Sequence, residues 1–335
     1  WGTLSDRIGR RPVMLVSLAG STASYVLFAF APSYEWLLLA RGISGIFAAN
    51  ISAAQAYVAD VTTKTDRAKG MGMIGAAFGI GFTLGPPLGG IAAAKIGLEA
   101  PGLIAAAICG LNFLLAVFRL PESLPREKRT THRRTHPLHP RLLKQVMSRT
   151  DLGFLLIAFF FTTFAFSNME QTISLLFQAR FMLETGEAGY RTGLVLMVSG
   201  LIGAAVQGGW IRKLVPIYGE PLLFQIGLLL NAFSMLIFPY VPTYELYFLA
   251  AFPLALGSAL INPTLTAMIS QHAGEREQGL VMGISQGLGS LARAAGPFCG
   301  LLTFAIAPAL PYGIAAVLSF GILFAAIAHF RARTA

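Results

Sequence analysis

Ten apolar stretches dominate the chain, and their length limits the folds open to it. They cover residues 12–31, 36–59, 70–94, 101–120, 152–181, 190–211, 221–240, 244–270, 279–306 and 309–330. Each is long enough for a helix to cross a hydrocarbon layer of ~30 Å. None shows the alternation of apolar and polar residues that is typical of membrane β-barrels. We therefore predict an all-α integral membrane protein, in keeping with a charged-residue content of only 12%.

The distribution of basic residues predicts which helix ends face the cytoplasm. The net charge is +10, and twenty of the 25 Lys and Arg residues lie in alternate loops. The loops on the opposite side hold only three, Lys95, Arg180 and Arg191. By the positive-inside rule, the first set of loops is cytoplasmic. The charge thus reports topology, and we expect no nucleic-acid partner.

A long basic segment divides the chain. We assign residues 1–120 to a partial N-terminal half with four transmembrane helices, 121–150 to a cytoplasmic linker, and 151–335 to a C-terminal half with six. The linker contains three histidines, His132, His136 and His139. No cysteine or carboxylate accompanies them at ligand spacing, so we expect a solvated loop and no metal site.

The two halves carry matching motifs. A shift of 211 residues places the Gly-Pro-x-x-Gly run at 85–89 on the run at 296–300, and a shift of 212 places Asn50 on Asn262. Two related bundles with a substrate site between them are typical of secondary transporters. If the halves are equal, two further helices would precede Trp1, and the ten stretches would belong to a bundle of twelve.

The third apolar stretch contains an unusual run of glycine and proline. Gly81, Gly85 and Gly89 recur at every fourth residue, which places them on one helix face and allows another helix to approach closely. Pro86 removes a backbone donor and is expected to kink the helix. A bent, closely packed transmembrane helix indicates a moving part, so this run favours transport.

Residues 2–11 read Gly-Thr-Leu-Ser-Asp-Arg-Ile-Gly-Arg-Arg and precede an apolar stretch. They contain one acid and three bases, Asp6, Arg7, Arg10 and Arg11. This spacing resembles the signature loop between the second and third helices of the major facilitator superfamily. The resemblance implies a two-bundle transporter fold in which Asp6 contacts arginines or a helix N-terminus as part of a conformational latch. It also implies that Asp60 pairs with Arg10 or Arg11.

Two further motifs resemble the same family. Residues 41–45, Arg-Gly-Ile-Ser-Gly, are similar to its fourth-helix motif, and residues 79–90 resemble the motif of its proton-coupled antiporters. A weaker likeness to drug and tetracycline exporters extends over 169–220. The resemblance implies that Arg41 takes part in proton coupling, with a carboxylate partner before Trp1. The other interpretation of Arg41 is an arginine that snorkels to the outer interface.

Charges inside apolar helices need a physical reason, because an ion there costs at least ~2.5 kcal/mol. Glu170 is either a carboxylate that binds a proton or a cationic substrate, or a structural partner of Arg293. Phe166 and Phe177 lie near it and suit an amphipathic aromatic ligand. Both interpretations of Glu170 remain open.

Neutral polar residues also lie in the apolar helices. Asn50 and Asn262 are the strongest candidates to line a cavity, because the repeat pairs them. The alternative for each is a hydrogen bond between helices.

The sequence contains no Gly-x-x-x-x-Gly-Lys phosphate loop and no triad or metal motif, so we expect no enzyme and no cofactor. We predict a proton-coupled antiporter for efflux of small amphipathic compounds or drugs by alternating access, in the manner of drug-resistance proteins. The alternative is an importer or exchanger of a polar metabolite with the same fold. A membrane enzyme or receptor is a distant third. The expected partners are a small molecule, protons and lipid, and the expected state is a monomer in a bacterial inner membrane.

Overall fold

The computed structural model of the chain describes residues 1–48, 51–62, 67–129, 144, 146–273 and 278–334. Nearly all of these residues are helical, and this part of the chain contains no β-strand. The chain divides into two compact units, Trp1–Arg134 and Thr135–Ala335. The all-helical architecture predicted from the apolar stretches is confirmed.

The first unit is organised around its second helix. Its described helices are α1 (Gly2–Ile8), α2 (Arg10–Ala29), α3 (Tyr34–Ala48), α4 (Ile51–Val61), α5 (Arg67–Lys95) and α6 (Ala100–Arg119). Helix α2 packs against α3 and α6. Gly20 permits the contact with α3, because the Phe47 ring occupies the space that a Cβ at Gly20 would need. A short 3-10 helix, Arg126–Lys128, follows α6.

The second unit is organised around a long central helix. Its described helices are α7 (Thr150–Phe181), α8 (Thr185–Ala205), α9 (Ile211–Ile237), α10 (Tyr244–His272), α11 (Gln278–Ile306) and α12 (Leu310–Thr334). Helix α7 packs along α11 and α12, and α9 packs along α10. The second pair can come close because a Cβ at Gly257 would lie only 2.7 Å from the carbonyl oxygen of Gly227.

Most of these helices can cross a membrane by length and composition. Among the described residues, eight helical segments qualify: Arg10–Ala29, Ala100–Arg119, Thr150–Phe181, Thr185–Trp210, Lys213–Tyr240, Tyr244–His272, Val281–Ile306 and Leu310–Arg331. The other two predicted stretches, 36–59 and 70–94, fall on α3, α4 and α5, where some residues or side chains lie outside the description. The helix count is therefore broadly that expected from the sequence.

Candidate functional site

Arg10 is the centre of a charged cluster where α1, α2 and α4 meet. Its Nη1 lies 2.6 Å from Asp6 Oδ1 and also donates to Ser5 Oγ at 2.6 Å. Its Nε donates to Asp60 Oδ2 at 3.1 Å. The Arg10 side chain is only 9% exposed, so these carboxylates compensate a nearly buried cation. The predicted pairing of Asp60 with Arg10 is confirmed, as is the contact of Asp6 with an arginine.

Gly9 shapes the backbone that brings this cluster together. It separates α1 from α2 with φ +110° and ψ 158°, a conformation that is essentially restricted to glycine. A Cβ at Gly9 would also overlap the Glu122 carboxylate and lie 2.8 Å from Arg129 Nη2. The absence of a side chain therefore lets Glu122 reach the N-terminus of α2, where its Oε1 accepts from the Arg10 backbone N–H at 2.9 Å.

The segment after α6 completes the network. Ser123 Oγ donates to Asp60 Oδ2 at 3.1 Å, and Arg129 Nη2 lies 3.6 Å from Glu122 Oε2. No sequence pattern indicated a role for Glu122, because its partner is a backbone N–H more than a hundred residues earlier. The remaining predicted arginines of the loop lie at its edge. Arg11 donates to the Val117 carbonyl at 2.8 Å, and Arg7 is exposed.

Arg41 lies on α3 with its guanidinium 4.5 Å from the centre of the Phe28 ring of α2. It is exposed and borders a shallow cleft together with Ser24, Tyr25 and Ser44. No carboxylate pairs with it among the residues that the structure describes. The cation–π contact stabilises an arginine in this setting by roughly 0.5–2 kcal/mol. Its proposed role in proton coupling stays a prediction.

Among the described residues, no side chain or backbone packs on the glycine strip of α5, so the predicted close approach of another helix stays a prediction. A Cβ at Gly81, Gly85 or Gly89 would meet no described atom within 4 Å. Helix α5 also continues through Pro86 and Pro87 without a break in its helical assignment. Glycines at every fourth residue give a flat helix face, but the spacing does not determine which other helix packs against that face.

The matching run in the second unit does pack closely. A Cβ at Gly296 would lie 2.9 Å from the Phe164 carbonyl oxygen of α7. Pro297 has no N–H, so the Arg293 carbonyl, four residues earlier, lacks its usual helical donor. Ser167 of α7 supplies a replacement, since its Oγ donates to that carbonyl oxygen at 3.5 Å. Glycine and proline here create a close α7–α11 contact and a carbonyl group that needs an outside donor.

Glu170 and Arg293 do not form the ion pair that one interpretation required. Among the described residues, no cation lies within ion-pair distance of Glu170, which is half-buried. Arg293 Nη1 instead lies beside Gly289, where the Phe159 ring is the other neighbour. Phe159 precedes Glu170 by eleven residues in α7, or about 16 Å along the axis. The structural-pair interpretation is therefore wrong for this conformation.

Phe177 is not available to a ligand, contrary to the prediction. Its side chain is 0% exposed, and its ring centre lies 4.7 Å from that of Tyr247 in an aromatic cluster. Helical spacing placed Phe177 near Glu170 but could not reveal this packing. Phe166 is half-buried and contacts the edge of the same cluster. Asn262 is exposed on α10, whereas Asn50 lies outside the described residues.

The second unit contains a counterpart of the charged cluster. Gly219, like Gly9, has positive φ, here +73° with ψ 157°, and interrupts α9. The next residue, Glu220, accepts from Gln271 Nε2 of α10 at 3.0 Å. A shift of 210 residues aligns Gly9 with Gly219, and this signal was present in the sequence. The repeat therefore extends to backbone conformation, but a neutral donor contacts an acid where the first unit has an ion pair.

These features define a membrane protein of two helical units with a charged cluster around Arg10 and titratable residues inside apolar helices. The family model described as the Major Facilitator Superfamily matches residues 1–297. The chain belongs to this superfamily of transporters, and the resemblance noted from the loop motif is confirmed. It is accordingly a multi-pass integral membrane transporter.

Individual relatives come from bacteria and mammals. Major facilitator superfamily domain-containing protein 10 of Mus musculus is 32% identical over 314 residues, 88% of this chain and 67% of that protein. The class C tetracycline resistance protein of Escherichia coli is 32% identical over 320 residues, 94% of this chain and 78% of that protein. The crystal structure of the human organic anion transporter MFSD10 (TETRAN) matches with a TM-score of 0.73 at 31% identity, covering 97% of this chain and 79% of that one.

Proposed function

We propose that the chain is a proton-coupled exporter of small amphipathic compounds that works by alternating access. The observation that carries this proposal is Glu170, a half-buried carboxylate well inside an apolar helix with no cationic partner among the described residues. Such a carboxylate can bind a proton or a cationic group of a substrate, but not both together. Competition between the two ligands couples inward proton flow to outward substrate flow when the site changes its exposure only with a ligand bound.

The names of two relatives support transport of drug-like compounds. One is named for tetracycline resistance, and the structural relative is described as an organic anion transporter. We therefore extend the proposal to drug-like aromatic compounds, with the proton gradient as energy source and with no cofactor or metal. We also propose a monomer embedded in lipid, in a bacterial cytoplasmic membrane. Residues 121–150 would face the cytoplasm, as the basic loops predict.

Transport in inside-out membrane vesicles tests the proposal. With an acid interior, we expect accumulation of the cationic dye rhodamine 6G, and we expect a protonophore to abolish it. Glu170→Gln should remove this gradient-driven accumulation, because the side chain can no longer exchange a proton. Glu245→Gln is the matched control, since Glu245 is exposed at the start of α10. Accumulation by Glu170→Gln equal to wild type, at equal amounts of folded protein, would remove the coupling role.

A comparison of right-side-out with inside-out vesicles distinguishes the exporter from the alternative importer. An importer driven by protons would accumulate substrate in right-side-out vesicles with an acid exterior and would show no gradient-driven uptake in inside-out vesicles. A polar metabolite rather than an aromatic dye would then compete for transport.

A further inference from the structure

Arg293 is a second unpaired charge inside the membrane-spanning part of the second unit. It lies near the middle of α11, a helix of 29 residues. Within the described part of the chain no carboxylate pairs with it, and Glu170 is about 16 Å away along α7 by the register given above. A cation at this depth that lacks a protein counter-charge is costly, which indicates that an anion comes from outside the chain.

Snorkelling does not account for Arg293. The guanidinium turns toward the N-terminal end of α11, and its Nη1 lies 3.3 Å from where a Cβ at Gly289 would stand. Gly289 is eleven residues after Gln278, the first residue of the helix, or about 16 Å along the axis. The side chain reaches toward the helix end but stops well short of it.

The Arg293 guanidinium is oriented by one hydrogen bond, and most of its N–H donors have no acceptor among the described residues. Its Nη2 donates to Ser290 Oγ at 3.4 Å, a long hydrogen bond. Ser290 Oγ in turn donates to the Gln286 carbonyl at 2.9 Å, which fixes the hydroxyl as an acceptor for Arg293. Arginine has five N–H donors, so most remain free for a ligand. Since Arg293 is exposed, a planar anion can approach the free edge of its fork.

An aromatic surface lies beside this cation. A Cβ at Gly289 would lie 2.9 Å from Phe159 Cε1 and 3.3 Å from Arg293 Nη1, so the ring and the guanidinium both border the space that the missing side chain leaves. The Phe159 side chain is half-buried. A ligand with its charge on Arg293 would therefore meet the Phe159 ring next to it.

We propose that Arg293, oriented by Ser290 and flanked by Phe159, is a binding subsite for the carboxylate or sulfonate group of an aromatic organic anion. The proposal rests on the transport function above and specifies its substrates. Glu170 would serve cationic compounds and Arg293 anionic ones, and their separation keeps either charge from neutralising the other. A bidentate contact from arginine matches both oxygens of such a group, which a lysine cannot do.

Two dyes with the same xanthene ring system and opposite charge test this assignment. Fluorescein is anionic, and rhodamine 6G is cationic. The full chain is reconstituted in proteoliposomes, and gradient-driven flux of each dye is measured per unit of folded protein. Arg293→Gln should lower fluorescein flux about tenfold, the loss expected for one charge-assisted bidentate contact, and change rhodamine 6G flux less than about twofold. Glu170→Gln should remove the gradient-driven flux of both dyes, because it removes the proposed proton site, but should leave equilibrium binding of fluorescein within about twofold.

Two further variants test the subsite even if Arg293→Gln does not fold. Arg293→Lys keeps the charge and should lose less fluorescein flux than Arg293→Gln. If Arg293→Gln does not fold, Ser290→Ala should still weaken fluorescein transport selectively, by about threefold, because the guanidinium loses its orienting acceptor. Equal effects of these variants on both dyes, or no effect on either, would overturn the subsite.

Binding separates failure of this inference from failure of export. If wild-type protein moves neither dye under a gradient, the proposed export function fails for these dyes. Fluorescence anisotropy of fluorescein with purified protein then decides the subsite alone: binding that Arg293→Gln weakens supports it, and binding that is absent or unaffected overturns it. Gradient-driven flux of rhodamine 6G with no transport or binding of fluorescein would leave export intact and overturn the subsite.

Discussion

The substitution Gly9→Ala tests the geometry of the charged cluster most directly. The backbone at Gly9 has φ +110° and ψ 158°, and forcing an L-residue there costs roughly 1–3 kcal/mol. The new Cβ would also displace the Glu122 carboxylate, which accepts from the Arg10 N–H at 2.9 Å. Loss of a hydrogen bond to a charged group adds about 1.5–3 kcal/mol. We therefore expect the free energy of unfolding to fall by roughly 2.5–6 kcal/mol.

Gly219→Ala is the matched control for this change. Gly219 has similar backbone angles, but a Cβ there would meet only Pro221 Cδ at 3.6 Å, an ordinary contact. The free energy of unfolding of Gly219→Ala should therefore fall only by the cost of backbone strain, roughly 1–3 kcal/mol. Unfolding of the purified protein in mixed micelles, titrated with SDS, measures both values. Equal losses in the two variants, or an unaltered Gly9→Ala protein, would refute the role assigned to Glu122.

Three further outcomes follow from the described contacts. Gly296→Ala should lower the free energy of unfolding by about 1–3 kcal/mol, because the new Cβ would overlap α7. Its control, Gly85→Ala, should change that free energy by less than ~0.5 kcal/mol, and SDS titration of both variants measures the difference. Ser167→Ala should cost about 1–3 kcal/mol in the same assay, because the Arg293 carbonyl that Pro297 leaves without a helical donor loses its replacement donor. Ser199→Ala should cost less, because the Ser199 hydroxyl donates only within its own helix. Asp6→Asn should reduce vesicle transport while leaving equilibrium dye binding within about twofold, and wild-type transport would remove the latch.

Patterns along the sequence were enough for features that depend on neighbouring residues. The resemblance of the loop motif implied that Asp6 contacts arginines or a helix N-terminus and that Asp60 pairs with Arg10 or Arg11, and both acids contact Arg10. The glycine strip shows the limit of such reasoning. The same Gly-Pro-x-x-Gly pattern packs against α7 in the second unit but meets no described neighbour in the first. Local spacing defines a surface, whereas its partner is decided by residues distant in sequence.

The sequence by itself determined the helical class, the number of apolar spans and the candidate charges, because membrane insertion depends on the summed hydrophobicity and charge of contiguous segments. Only the tertiary structure decided how those charges are used. It placed Glu122 on the N-terminus of α2, buried Phe177 in an aromatic cluster, and separated Glu170 from Arg293. Each outcome depends on the packing and register of helices far apart in sequence, and side-chain periodicity within one helix carries no information about either.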